Sequence, residues 1–329
     1  MATTEMTPPP LEWLARIVAA ERRIRPHLEE TALEPSPSLS RATGAEVLLK
    51  LENTQPTGSF KVRGALSKLL SMTEAERSRG VVTASTGNHG AAVAFGLSRL
   101  GARGTIFVPH GADTTKVEKI RQHGGTVEFH GDDSVETERH ARAFAAERGE
   151  VYVSAYNDRD IVAGQGTIGA EVARQVTSVD IVIASVGGGG LIGGIASYFA
   201  VVEPTARIWG ASPENSAVMM ESVKRGAVID MASLPTLSDG TAGGVELDAL
   251  TFPLCRDFVH EYDTVTEQEI ARAMRLVLES HGVVIEGAAG VAVAMLIKRR
   301  EQCRGKRVVI VVCGGNVRTE VLRQILADR

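Results

Sequence analysis

The chain is short of cysteine, of aromatic residues, of long apolar runs and of any charge excess. Three cysteines, Cys255, Cys303 and Cys313, are odd in number and widely spaced. They do not make a disulfide framework, so a reducing compartment, the cytoplasm, is expected. No apolar run reaches the roughly 18 residues that a membrane-spanning helix needs. The first ten residues, Met1 to Pro10, are polar and proline-rich and are expected to be disordered. They lack the basic and apolar regions of a signal peptide. Lys plus Arg total 36 against 40 Asp plus Glu, a net charge of −4. That balance, without a basic run, gives no electrostatic reason to bind nucleic acid. The eight histidines are scattered, with neither H-x-x-x-H nor C-x-x-C spacing anywhere, so no metal site is expected. A G-x-S-x-G elbow, the mark of a Ser-His-Asp hydrolase, is absent.

What the chain does have is glycine, 34 residues of 329. Glycine this abundant signals tight strand-to-helix turns and close backbone approaches. The length argues for about two domains or lobes. A helix is expected after residue 10, with Leu11, Leu14, Ile17 and Val18 on one face and Pro26 near its end. From Val47 onward, short apolar runs alternate with longer amphipathic ones. Strands are expected at 47–51, 80–84, 104–109, 126–130, 151–154, 180–186, 206–211 and 307–313. Helices are expected at 59–72, 87–101, 114–123, 134–148, 161–177, 191–202, 215–224, 267–280, 287–300 and 317–327. This alternation reads as α/β with mostly parallel sheets. Residues 80 to 155 hold a βαβαβα run of their own, and the strands near 180, 207 and 308 require a second sheet. Residues 231–262 have weak periodicity and are expected to be irregular; long irregular segments are often functional.

Four segments carry chemistry. The first is Thr57 to Ala65, where Lys61 lies just inside a helix start behind Ser59, a candidate N-cap. A cation there is disfavoured by the helix dipole. A lysine made neutral is a nucleophile. The second is Ser85-Thr86-Gly87-Asn88-His89-Gly90, between a strand end and a helix start. Backbone N–H groups and hydroxyls at such a place grip a carboxylate. The third is Gly187-Gly188-Gly189-Gly190-Leu191, again a strand end feeding a helix. Its backbone can wrap a phosphate. Gly188, Gly190 and Gly193 also satisfy G-x-G-x-x-G, so a nicotinamide-dependent oxidoreductase is a distant alternative. The ribose-binding acid expected at the next strand tip is doubtful, because Ser212-Pro213 follows that strand. The fourth is Cys313-Gly314-Gly315-Asn316, where the last strand enters the last helix.

Taken in order, these segments resemble the fold type II (tryptophan synthase β-like) family of pyridoxal-phosphate enzymes. The nearest branch is that of serine/threonine dehydratases and serine racemases. Ala163 to Thr167 and Ile285 to Gly290 resemble further segments of that branch. The resemblance runs from about residue 25 to 325. It implies a two-lobed α/β fold, each lobe a mostly parallel twisted sheet flanked by helices. The large domain would be 1–79 with 158–329, and the small mobile domain 80–157. It implies pyridoxal 5′-phosphate as cofactor, with Lys61 linked to it as an imine. Asn88 would contact the 3′-oxygen, Gly187 to Gly190 and Leu191 the phosphate, and Cys313 the pyridine nitrogen. Phe60, Glu286 and Gly314 complete the cofactor set. Ser85, Thr86, Gly87, Asn88 and His89 would hold the substrate carboxylate, and Gly240 would line the side-chain end of the pocket. A homodimer is the family expectation.

The resemblance implies β-elimination of water from a β-hydroxy amino acid such as L-threonine or L-serine, giving a 2-keto acid and ammonia. Bulkier substrates are alternatives: phenylserine, 3-hydroxyaspartate or a hydroxyectoine-derived amino acid. So is racemization, disfavoured because Thr86 stands where the racemases have serine. The acid that begins the racemase cation site is missing at Ala211-Ser212-Pro213, so no metal is assigned.

Overall fold

The computed structural model describes residues 10–327. Met1 to Pro9 lie outside the described residues, and Pro10 opens the first helix, Pro10–Ile24. Ten strands follow in chain order: β1 (Leu33–Pro35), β2 (Glu46–Leu51), β3 (Val81–Ala84), β4 (Gly104–Val108), β5 (Thr126–Phe129), β6 (Val151–Tyr152), β7 (Ile181–Ser185), β8 (Arg207–Pro213), β9 (Glu261–Val265) and β10 (Arg307–Val312). They form two sheets. One has the order β1-β2-β10-β7-β8-β9 and the other β5-β4-β3-β6. Every pairing is parallel except β1 with β2.

The larger sheet is built on runs that are apolar on both faces, as a sheet covered by helices on each side requires. In β10 the run Val308 to Val312 is fully buried, and so is β7 from Ile181 to Ala184. The helix Gly287–Lys298 is buried from Gly287 to Leu296. The smaller sheet packs through Val81, Ile106 and Val108 against Val93, Leu97 and Ile120. Two of its helices, Thr114–Gln122 and Ser134–Arg148, follow Asp113 and Asp133, whose carboxylates cap free N–H groups of the first turn.

Two features fix the helix Lys61–Ser71, which carries the candidate lysine. The helix Arg159–Gln175 crosses it so closely that a methyl on Gly164 would lie 2.7 Å from the Gly64 backbone. Beside that crossing lies a buried ionic cluster. Arg63 donates to Glu52 through Nε and Nη2, both at 2.7 Å, and to Glu171 at 2.8 and 2.7 Å. Lys50 donates to Glu171 at 2.6 Å. Burial alone would push the Glu171 carboxyl up, but Arg63 and Lys50 outweigh it and hold it down at about 2.

The structure departs from expectation at several elements. The first helix buries Trp13, Ile17, Ala20 and Ile24, and leaves Leu11 exposed to solvent. Its inward face is rotated from the one expected, because the large Trp13 side chain docks against Val162 and Leu254. Strands β1 and β9 are additional, both at edges of the larger sheet. Part of the segment expected to be irregular is ordered, as the helix Thr251–Phe258 and β9. Short helices at Pro37–Thr43, Glu74–Arg79 and Arg300–Cys303 were not expected.

Candidate active site

Three strands deliver their carboxyl ends to one place. β3 ends in Ser85-Thr86-Gly87, β7 in the glycine run and β10 in Cys313. Ligands of parallel α/β sheets bind at such ends. A cavity of about 630 Å³ lies there. Phe60, Lys61 and Ser85 to His89 line it, and so do Gly187 to Leu191, Gly240, Glu286 and Cys313. Gly314 is the exception. It does not line the cavity; it sits behind Glu286 and accepts that residue's N–H at 3.0 Å. A methyl on Gly314 would strike the Glu286 carboxyl at 2.6 Å.

Lys61 is the first residue of its helix, and Phe60 occupies the N-cap position without a side-chain bond. Ser59 therefore does not cap; its buried Oγ has no partner among the described residues. The Lys61 Nζ donates to the Ala155 carbonyl at 2.8 Å. Burial lowers its pKa from 10.5 to about 8, against the opposing pull of Cys313 and Glu286. A considerable share of this amine is therefore neutral just above neutral pH.

The loop after β3 and the helix Asn88–Leu100 give the second group. Ser85 Oγ accepts the Gly87 N–H at 3.2 Å. The N–H groups of Thr86, Asn88 and His89 meet no acceptor among the described residues, which leaves them for an anion. His89 is buried, and burial with the Lys61 charge lowers its pKa to about 3. Its Nε2 faces the Val153 carbonyl at 3.1 Å. A carbonyl only accepts, so Nε2 carries the hydrogen and the ring is neutral. His89 packs and orients the loop; it is no base.

The glycine run forms the third group. Gly189 has φ +84 at the N-cap of the helix Gly190–Val202. A side chain there would be strained and would meet Cys255 Sγ at 2.7 Å. A methyl on Gly188 would lie 2.5 Å from the Tyr156 ring. The N–H groups of Gly187 to Leu191 donate to nothing among the described residues. Five donors thus converge at a helix start with no acid in its first turn.

Cys313 is buried, with Ser185 Oγ 3.5 Å from its sulfur. Burial pushes its thiol up, so it stays neutral. Glu286 lies beyond it. Asn88 Nδ2 donates to its two oxygens at 2.9 and 3.0 Å, and the Asn316 N–H to Oε2 at 3.1 Å. Burial raises this carboxyl to about 7, although the hydrogen bonds from Asn88 and Asn316 oppose the rise.

Comparison with known proteins decides what this arrangement is. The family model "Pyridoxal-phosphate dependent enzyme" matches residues 24–314. The chain belongs to that family. An L-threonine ammonia-lyase of Thermotoga maritima is 39% identical over 95% of this chain and 78% of its own. A beta-hydroxyaspartate dehydratase of Paracoccus denitrificans is 35% identical over 92% of this chain and 95% of its own. Among solved structures, the processed form of threonine deaminase isoform 2 from Solanum lycopersicum superposes with a TM-score of 0.91 at 29% identity, covering 97% of this chain and 94% of that one. The nicotinamide reading of the glycine run is thereby set aside.

The residues of this pyridoxal-phosphate enzyme fit its cofactor. Lys61 has a partly neutral amine that would suit the aldehyde. The glycine run has unspent N–H donors that would suit the phosphate. Cys313 has a neutral thiol that would suit the ring nitrogen. Other lining residues were not singled out from the sequence. Lys116 pairs with Asp239 at 2.6 Å, and Lys119 donates to Asn316 Oδ1. Tyr156 lies on the glycine run and accepts the Glu246 N–H at 2.9 Å through its hydroxyl. Lys116 and Lys119 read as the polar face of an ordinary amphipathic helix. Only Asn316 carried a signal, as the last residue of the fourth motif.

Proposed function

We propose that this enzyme removes water from a β-hydroxy amino acid of the threonine or serine type, releasing a 2-keto acid and ammonia. One observation carries the reading: the Lys61 amine, the glycine cradle and the neutral Cys313 thiol open into one cavity beside an unspent anion-binding loop. The identities to a threonine ammonia-lyase and a hydroxyaspartate dehydratase support it. Bound pyridoxal phosphate supplies an electron sink that acidifies the α-hydrogen of an attached amino acid. The Thr86, Asn88 and His89 N–H groups orient the substrate carboxylate. Lys61, once free of the cofactor, takes the α-proton at Nζ, since its lowered pKa leaves it a base near working pH. Cys313 cannot hold the ring nitrogen protonated as a carboxylate would. Negative charge would therefore be kept near the α-carbon, favouring loss of the β-hydroxyl, which would leave as water with a proton supplied by the cofactor's phosphate. The donors of Gly187 to Leu191 hold the phosphate in place.

The side-chain end of the cavity is lined by Asp239, Gly240, Thr241 and Ala242, with Lys116 and Arg318 near. The small residues leave room beyond a methyl, and the cations suit a second carboxylate. Threonine, serine, phenylserine and 3-hydroxyaspartate therefore form the assay panel. Racemization is the second reading, kept open by the Thr86 hydroxyl, which lines the cavity without a partner among the described residues. Keto-acid release with chiral analysis of the remaining amino acid separates the two. Keto acid without inversion supports dehydration; inversion without keto acid replaces it by racemization. In this reading 80–157 is a small domain that moves against 1–79 with 158–329, and the working form is a cytoplasmic homodimer.

A further inference from the structure

Asn316 sits where four segments meet, and its neighbours leave its amide one orientation. The Thr57 carbonyl, which only accepts, takes Asn316 Nδ2 at 2.9 Å. The Lys119 ammonium, which only donates, takes Oδ1. The side chain is also seated against Gly58, where a methyl would lie 2.5 Å from Oδ1. With both ends fixed, Nδ2 faces Asn88 and donates to its Oδ1 at 2.6 Å. The Asn88 carbonyl oxygen is thereby committed to Asn316. Its NH2 group turns the other way, into the cavity and toward Glu286.

We infer that Asn316 is a positioning residue for the cofactor: it turns Asn88 so that an N–H, not a carbonyl, faces the cofactor's ring oxygen. The inference rests on the reading that Asn88 contacts that oxygen. A donor there favours the ionised ring oxygen, with the proton on the lysine-linked nitrogen. A carbonyl in its place would repel the ionised oxygen and keep the proton on it. Lys119 belongs to the helix Thr114–Gln122, which packs with the smaller sheet, so the orientation also depends on how that helix meets Asn316.

The test is the absorbance of the holoenzyme in Asn316→Asp. A carboxylate still accepts from Lys119 but presents no donor to Asn88 or Thr57. The variant should bind pyridoxal phosphate through Lys61, as borohydride trapping would report. Its absorbance should move from the visible into the near ultraviolet, and kcat should fall roughly tenfold, as expected for one lost positioning hydrogen bond. Asn316→Ser is the milder variant for the case that Asn316→Asp does not fold. Its hydroxyl is free to turn, and the same shift is expected at smaller amplitude. An unchanged band with an unchanged pH midpoint in either folded variant would overturn the inference. Absence of any lysine-linked band in the wild type would sink the reading of the site instead.

Discussion

At the scale of single residues, burial decides which groups can act. His89 lies in the cavity, yet it is neutral at every working pH and tied to a carbonyl. Lys61 is the titrating group. Its neutral form would be the one to attack the cofactor's aldehyde, and its pKa is lowered from 10.5 to about 8. Cofactor uptake by the apoprotein, followed by the growth of absorbance, should therefore rise with pH through a midpoint near pH 8 and level off above it. A rate still climbing toward pH 10 would show an ordinary, solvated lysine. Gly188 gives a second prediction at this scale. A methyl there meets the Tyr156 ring at 2.5 Å. Gly188→Ala should weaken cofactor binding by about 1–3 kcal/mol without unfolding the protein, as measured by cofactor titration. Affinity equal to wild type would remove the glycine run from the phosphate site. Three of the four motifs that line this cavity stand at strand ends, and the fourth, with Lys61, stands at a helix start. A motif does not say which members face inward and which, like Gly314, stand behind. The motifs also put Ser59 at the cap position that Phe60 occupies, since cap position depends on where the first helical turn closes.

At the scale of elements, the helix Lys61–Ser71 is held by charge as well as by packing. Arg63, Glu52, Glu171 and Lys50 are all fully buried. Truncating one partner leaves an uncompensated charge in the interior, so Glu171→Ala should cost about 3–5 kcal/mol in denaturant unfolding. A loss below 1 kcal/mol would mean that water reaches the cluster. The pH dependence has a definite sign. The Glu171 carboxyl is held at about 2 in the folded chain, so its contribution is complete above the ordinary value of 4.5 and is lost as pH falls through about 2. None of this was legible beforehand except through Arg63 in its motif, because a charged residue in a sequence reads as surface. The edge strands escaped for a different reason. β1 has three residues and ends in proline, and β9 is Glu-Tyr-Asp-Thr-Val, half-buried and without clear alternation. Central strands such as β10 were legible because their apolar runs admit few other readings.

At the scale of the whole molecule, the helix Thr114–Gln122 and its cap reach across the cavity mouth at three points. Lys116 pairs with Asp239, Lys119 with Asn316, and Asp113 with Arg318 at 3.8 Å. These contacts join the smaller sheet's side to segments of the larger one. The Lys116–Asp239 pair is partly exposed, so it contributes little to stability. Its effect should fall on substrate binding at the cavity both residues line. Asp239→Asn should raise KM several-fold with little change in the unfolding midpoint, read from steady-state kinetics and a thermal melt. An unchanged KM would show that the pair is incidental.

The central claim is tested most directly by one paired experiment on purified wild type and Lys61→Ala. The visible spectrum is recorded with pyridoxal phosphate, and keto-acid release is then assayed on the panel of β-hydroxy amino acids. The account predicts a lysine-linked band and keto acid from at least one panel member in the wild type, both absent in Lys61→Ala. A wild type that forms the band but releases no keto acid from any member would contradict it.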